Sequence, residues 1–440
     1  GLWGIKRALT RRGRVVPAAP PVENQPSIPT EQPDQQTASA APPDPARIDV
    51  REAPSIAAIS ERIPPDVIET LTRQVRERLT KLPAETVRLI ALYLPQFHRI
   101  PENDQWWGEG FTEWTNTRKA TPLFAGHYQP HIPAELGYYD LSDPGVLERQ
   151  AALAREYGIY GFCYYYYWFS GKRLLERPVE TMLASRKPDF PFCLLWANEN
   201  WTRRWDGMEN EILQAQEHSD EDDLRFIQHL IPAFRDPRYI RIDGRPLLII
   251  YRIGGLTTRS IELWRAECQK AGIGEIYIAA TINYSPLAAA ALGNRDPRLF
   301  GCDAAMEFPP HGVQSPMINH RCHGLAPDFQ GWIYDYLETA AHYINRPPSD
   351  YPVFRGVMTS WDNTPRRQNT PQMYEPHSPE LYGYWLSHIV EQTIRRHDNP
   401  DERLIFINAW NEWAEGAHLE PDEKFGRRYL EESRKSLSRA

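Results

Sequence analysis

The stretch Leu404-Ile-Phe-Ile-Asn-Ala-Trp-Asn-Glu-Trp-Ala-Glu-Gly416 decides how the chain is read. It opens as a short apolar run, the pattern of a buried strand. It closes on Asn408, Trp410, Asn411, Glu412, Trp413, Glu415 and Gly416. Carboxylates, amides and indoles crowded at the end of an apolar run are what a catalytic strand end looks like. Glu412 and Glu415 are three residues apart, and on a helical turn they share a face, about 5–6 Å between Cβ atoms. Retaining glycoside chemistry holds its two carboxyl groups about 5–5.5 Å apart. The structural alternative is a glutamate pair at a helix N-terminus, favoured there by the dipole. Flanking Trp410, Asn411 and Trp413 argue against it. Glu412 and Glu415 are the catalytic candidates.

Upstream, the plan repeats. Apolar runs of strand length stand at 87–94, 159–165, 191–196, 246–252, 276–281, 302–307 and 353–359, with 404–410 the last. Between them lie helical spacings, marked by Val146, Leu147, Leu153 and Tyr157, by Leu224, Ile227 and Ile231, by Trp332, Ile333, Tyr336 and Leu337, and by Leu381, Trp385, Ile389 and Val390. This pattern predicts an α/β fold, a (β/α)8 TIM-type barrel with long βα loops. A doubly wound sheet is the rival, but no Gly-rich phosphate turn follows any strand.

Barrel function gathers at the C-terminal ends of strands, and those ends supply the substrate-binding candidates. They are His98 after strand 1, Trp106 and Trp107 in the long loop behind it, and Tyr164 and Tyr166 on strand 2. Trp196, Asn198, Glu199, Trp201 and Arg203 follow at strand 3, and Tyr251 at strand 4. Glu307 ends strand 6, Trp361 and Asn363 follow strand 7, and Asn411 and Trp413 follow strand 8. Indole and phenol faces suit sugar rings. Arg203-Arg204 and Arg366-Arg367 suit a phosphate or a sugar acid, although loop solubility is the plainer reading of both pairs.

Composition sets the outer bounds. A net charge of −8 over 440 residues argues against a nucleic-acid partner. Five cysteines, an odd number without metal-ligand spacing, sit mostly in apolar runs. They point to a reducing compartment, hence a cytoplasmic chain, peripheral at most to the inner membrane. His98, His127, His131 and His311 show no paired spacing of a metal site, so neither metal nor cofactor is expected. No apolar run reaches the roughly 18 residues of a transmembrane helix. Residues 1–62, rich in Pro and Ala, read as a disordered tail or linker, with other modules upstream in a longer protein. Residues 63–86 read as a lead-in helix, with Val67, Leu71, Val75 and Leu79 at helical spacing, and 87–440 as the barrel.

Several longer motifs carry a family resemblance. Ala91-Leu-Tyr-Leu-Pro-Gln-Phe-His98, Trp106-Trp-Gly-Glu-Gly-Phe-Thr-Glu-Trp-Thr-Asn116 and Gly126-His-Tyr-Gln-Pro-His131 are three of them. Trp196-Ala-Asn-Glu-Asn-Trp-Thr-Arg-Arg-Trp-Asp206 and Trp361-Asp-Asn-Thr-Pro-Arg-Arg367 complete the set. Together they closely resemble the WbsX family, associated with bacterial surface-polysaccharide (O-antigen) biosynthesis and described as a glycoside hydrolase family 99-like domain. The resemblance implies a carbohydrate-active barrel acting on an oligo- or polysaccharide. The more distant family 99 endo-α-mannosidases carry a Glu-x-x-Glu pair on the last strand. By that resemblance Glu412 is the base toward the substrate 2-hydroxyl, and Glu415 the acid at the leaving oxygen, with retention through a 1,2-anhydro sugar. A glycosyltransferase using an activated donor and a non-catalytic glycan-binding barrel are the alternatives.

Overall fold

The computed structural model describes residues 64–82, 87–203, 208–254, 256–283, 292–313 and 315–437. The 1–62 segment, expected to be a disordered linker, lies outside the described residues. The eight apolar runs form β1 (Arg88–Tyr93), β2 (Ile159–Phe169), β3 (Phe192–Trp196), β4 (Arg245–Ile250), β5 (Tyr277–Ile282), β6 (Ala304–Glu307), β7 (Val353–Met358) and β8 (Leu404–Asn408). Each pairs in parallel with the next, from β1–β2 through β7–β8. β8 returns to β1, with Arg88 opposite Leu404 and Ala91 opposite Ile407. The sheet therefore closes. Its strands are buried on both faces, which is why they read as continuous apolar runs rather than alternating ones.

Among the described residues the longer helices are α1 (Pro65–Leu79), α2 (Pro144–Glu156), α3 (Arg177–Ser185), α4 (Asp220–Arg235), α5 (Thr258–Lys270), α6 (Tyr336–Ile344), α7 (Pro379–Arg396) and α8 (Arg428–Leu437). α2 to α5 follow β1 to β4, and α6 to α8 follow β6 to β8. After β5 the described residues hold only the 3₁₀ turn Pro297–Phe300. Asp143, Ser219, Thr257, Asp335 and Ser378 start their helices by accepting a backbone N–H of the first turn. The architecture is a (β/α)8 barrel.

Two details depart from the periodicity. Trp332 and Ile333 are not helical; Trp332–Asp335 is a strand paired in parallel with Gln372–Glu375. The helix begins only at Tyr336, because Asp335 accepts from the Glu338 N–H at 3.1 Å and caps it there. In α1 the buried stripe is Ile68, Thr72, Val75 and Leu79, whereas Val67 is exposed. That stripe packs on α7 and is pinned by two ion pairs, Arg76–Glu432 at 2.7 Å and Arg78–Glu391 at 2.9 Å. Gly383 on α7 makes room for the first pair, since a Cβ there would lie 2.2 Å from Glu432 Oε2.

Trp196, Trp264, Trp385, Trp410 and Trp413 are fully buried. Part of the tryptophan excess is therefore packing and not sugar recognition. No helix among the described residues is long and apolar enough to cross a membrane.

Candidate active site

β8 ends at Asn408, and a small hairpin follows. Asn411–Glu412 pairs antiparallel with Ala417–His418, and Trp413–Glu415 forms a 3₁₀ turn between them. In such a turn residues i and i+3 eclipse. Glu412 and Glu415 thus share a side without the α-helix their spacing suggests. Gly416 closes the turn at φ +64°, and a Cβ there would lie 3.1 Å from the Asp362 backbone nitrogen. Both conformation and space require glycine. Asn411 holds the hairpin to the end of β1: its Oδ1 accepts from the Leu94 N–H at 2.7 Å, and its Nδ2 donates to the Leu94 carbonyl at 3.0 Å. Trp413 donates its Nε1–H to Glu420 at 2.7 Å and stacks on His418, ring centroids 3.8 Å apart.

One guanidinium organises the acids. Arg366 lies on the short helix Thr364–Arg367 after β7. Its Nη2 donates to Glu412 Oε2 at 3.1 Å, its Nη1 pairs with Glu415 Oε1, and its Nε donates to Glu113 Oε1 at 2.9 Å. Glu113 comes from the helix Glu113–Lys119 in the loop after β1 and is fully buried. Three carboxylates therefore meet around one cation. Burial and the charge of Glu415 push the Glu412 carboxyl well above the usual range, against the pull of Arg366.

Asp362 sets the geometry behind them. Its Oδ2 accepts from His127 Nε2 at 2.7 Å and Gln129 Nε2 at 2.6 Å. Its Oδ1 accepts from the Thr364 N–H at 2.9 Å and hydroxyl at 2.6 Å. The His127 Nδ1 accepts from the Leu123 N–H at 3.0 Å, which leaves the proton on Nε2 for Asp362. Burial raises the Asp362 carboxyl, but His127 and these donors outweigh it and hold the group below its ordinary value. The Asp362 N–H in turn donates to the Glu415 carbonyl at 2.7 Å. The loops after β1, β7 and β8 are locked together at the acid pair.

Aromatic side chains line the space in front. Burial raises the Tyr165 and Tyr167 phenols, and the negative charge of Glu412 raises both further. Tyr167 packs edge-on to Trp201 at 5.1 Å, and Trp201 on Trp106 at 5.8 Å. On the other side Tyr251 packs on Phe308 at 5.2 Å, and His311 stands between Tyr251 and Trp361. Glu199 pairs with Arg252 at 2.7 Å on the same rim.

The family description "Glycosyltransferase WbsX" matches residues 89–433. The chain belongs to the WbsX family. Two curated relatives, both "Uncharacterized protein WxcX" from strains of Xanthomonas campestris pv. campestris, are 45% identical over 387 residues, 87% of this chain and 54% of theirs. The chain thus spans about half the length of those relatives. Solved structures similar to it include the GH99 endo-alpha-mannosidase from Bacteroides thetaiotaomicron (13% identity, TM-score 0.47, 80% of this chain and 96% of that one). Another is the psychrophilic beta-glucosidase BglU from Micrococcus antarcticus (12%, TM-score 0.42, 81% and 98%).

Within this WbsX barrel the residues singled out from the sequence separate into groups. Glu412 and Glu415 meet through Arg366, and Trp106, Trp201, Glu199, Tyr251 and Trp361 stand around the mouth. Tyr164 and Tyr166 do not face the acids. Tyr164 packs against Tyr93 and Phe192 of neighbouring strands, and Tyr166 lies beside His229 of α4. Strand side chains alternate, so Tyr165 and Tyr167 take the inner positions. Trp196 also turns to the helix layer, stacking on Phe226 of α4 at 4.2 Å.

Glu307 is turned outward too, bound by Arg355 Nε at 2.9 Å and the Gly356 N–H at 2.9 Å. Asn198 brackets the Arg252 backbone at 2.6 and 2.7 Å, and Asn363 accepts from the Gln372 N–H at 2.7 Å. These two amides, like Asn411 and Trp413, hold loops in place. His98 is buried, and burial lowers its basicity. Trp107 packs on Phe111 at 5.9 Å. The Arg203 side chain lies outside the described residues. Sequence reasoning missed Glu113, Tyr165 and Tyr167, and set Arg366 down as a loop cation.

Proposed function

We propose that this barrel cleaves or transfers at an α-glycosidic, mannoside-like linkage of a bacterial surface polysaccharide, with retention, through Glu412 and Glu415. The observation that carries the reading is the pair itself: two glutamates at the C-terminal mouth of a closed barrel, both bound by Arg366, in front of an aromatic wall. In the reactive state one proton resides on Glu415 and Glu412 is ionised. Glu412 takes the proton of the substrate 2-hydroxyl, and that oxygen attacks the anomeric carbon. Glu415 protonates the departing glycosidic oxygen, and a 1,2-anhydro sugar forms. Glu415 then deprotonates an incoming hydroxyl, which opens the anhydro ring, while Glu412 returns its proton to the 2-oxygen. Burial and the charge of Glu415 oppose the ionised form of Glu412, and the Arg366 guanidinium bound to it counters that rise. Two inversions give retention.

The family's description as a glycosyltransferase supports a second reading, transfer from an activated donor. Three carboxylates around one guanidinium give the pocket negative charge, which opposes a donor phosphate beside the acids. Transfer from one glycan to another meets no such opposition. We assign the chain to the cytoplasm, free or peripheral to the inner membrane, with an oligo- or polysaccharide as its partner. The test is incubation with α-linked mannosides, bacterial polysaccharides and nucleotide-sugars. Turnover of the glycans by the wild type and not by Glu415→Gln supports the first reading. Turnover of nucleotide-sugars alone replaces it with the second, and binding without turnover leaves a glycan-binding barrel.

A further inference from the structure

Behind the acid pair, on the far side of Trp413, three side chains converge that the proposed reaction does not use. His131 comes from the loop after β1, His418 from the second arm of the Glu412 hairpin, and Asp422 from the segment after it. All three are buried, 2%, 3% and 2% exposed, so none is a solvated surface group. One nitrogen or oxygen of each lies within 4.8 Å of the other two.

The proton positions are set by their outer partners. His418 Nδ1 lies 2.9 Å from the Glu420 carbonyl, which only accepts, so the proton is on Nδ1 and Nε2 carries a lone pair. That Nε2 faces His131 Nδ1 at 2.8 Å and Asp422 Oδ2 at 3.8 Å. Asp422 Oδ1 is taken by the Phe425 N–H at 2.5 Å, which leaves Oδ2 for the cluster. A histidine whose far N–H is held by a carbonyl, with its near nitrogen aimed at other donors, is the usual arrangement around a bound metal. The rings are also fixed. His418 stacks on Trp413 at 3.8 Å and His131 on Tyr128 at 4.4 Å. His131 Nε2 is a buried nitrogen with no hydrogen-bond partner. Lys424, whose charge opposes a cation here, has its ammonium over the rings of Tyr128 and Phe425, 4.6 and 4.7 Å from their centroids.

We propose that His131, His418 and Asp422 form a binding site for a divalent transition-metal ion of zinc type. Two imidazoles and one carboxylate are a donor set such an ion accepts. In the metal-free chain the His131 Nδ1 proton lies between the two imidazoles. The ion takes its place, bound by His131 Nδ1, His418 Nε2 and Asp422 Oδ2, and the His131 proton moves to that ring's own Nε2, the nitrogen left without a partner. The ion ties the loop after β1 to the segment that follows Glu415. Its role is to hold the acid hairpin, and it takes no part in bond making.

The test uses the full chain, stripped with a chelator and titrated with zinc chloride against a chromophoric competitor. The expected result is one equivalent bound and a higher melting temperature. His131→Asn and Asp422→Asn, each checked for folding by circular dichroism, should each lower the affinity at least tenfold. No stoichiometric zinc on the wild type overturns the proposal. So does wild-type affinity in both variants, because the bound zinc would then sit on other histidines. Neither readout depends on glycan turnover, so failure here leaves the reading of Glu412 and Glu415 standing.

Discussion

At the scale of single residues, the account rests on Arg366 and the acids it binds. Replacing Glu412 or Glu415 with Gln keeps the shape and removes the proton chemistry. Each change should lower kcat by about 10² to 10⁴, measured on whichever glycan the wild type turns over. Arg366 acts differently, as a positioning residue. Its charge pulls the Glu412 carboxyl down. Arg366→Gln should therefore raise that group further and move the acidic limb of kcat/KM to higher pH, since the base must be ionised. An unmoved limb would contradict the role. Glu412 and Glu415 were legible in the sequence because they lie three residues apart on a recognisable strand end. Glu113 and Arg366 were not, because 253 residues separate them and only the fold brings them together. The inner tyrosines were hidden for another reason. In Tyr164-Tyr-Tyr-Tyr167 every position carries the same side chain, so a period-2 pattern has no amplitude from which to read the phase.

At the scale of elements, the eight strands were legible because a parallel strand buried on both faces must be apolar throughout. Strand ends were read too generously, since polar residues there serve both site and scaffold. Glu307 shows the difference. It sits at the end of β6, yet its side chain is held by Arg355, and both are about 1% exposed or less. Removing one partner of a buried pair leaves the other uncompensated, at about 3–5 kcal/mol. Glu307→Gln should therefore lower the urea midpoint strongly while leaving the activity of the folded fraction unchanged. Loss of activity at full stability would put Glu307 back at the mouth. The strand Trp332–Asp335 was misread because its apolar residues fall at a spacing that also fits a helix, and only the Asp335 cap marks the boundary.

At the scale of the whole molecule, long loops after β1 and β7 and the C-terminal segment meet behind the acids, and their charges are coupled. Glu375 ends the strand Gln372–Glu375 and is 5% exposed. Burial pushes its carboxyl up to about 7, with His127 and Lys424 opposing and Asp362 assisting. In the unfolded chain a glutamate titrates near 4.3. The folded value is the higher one, so the native state binds the proton more tightly. The stability this group adds is fully present below about pH 4 and is lost as pH rises through about 7. Melting temperatures from pH 5 to 8 should fall more steeply for the wild type than for Glu375→Gln; parallel profiles would contradict the shift. The barrel as a whole could be read from alternating runs. The convergence of His131 and His418, 287 residues apart, could not, since no local spacing encodes it.

The measurement that bears most directly on the central claim is the anomeric configuration of the first-formed product, followed by NMR on an α-linked glycan, for wild type and Glu415→Gln together. The account predicts an α-configured product from the wild type and at least a hundredfold slower turnover in the variant. A β-configured first product, or equal turnover by both proteins, would contradict it.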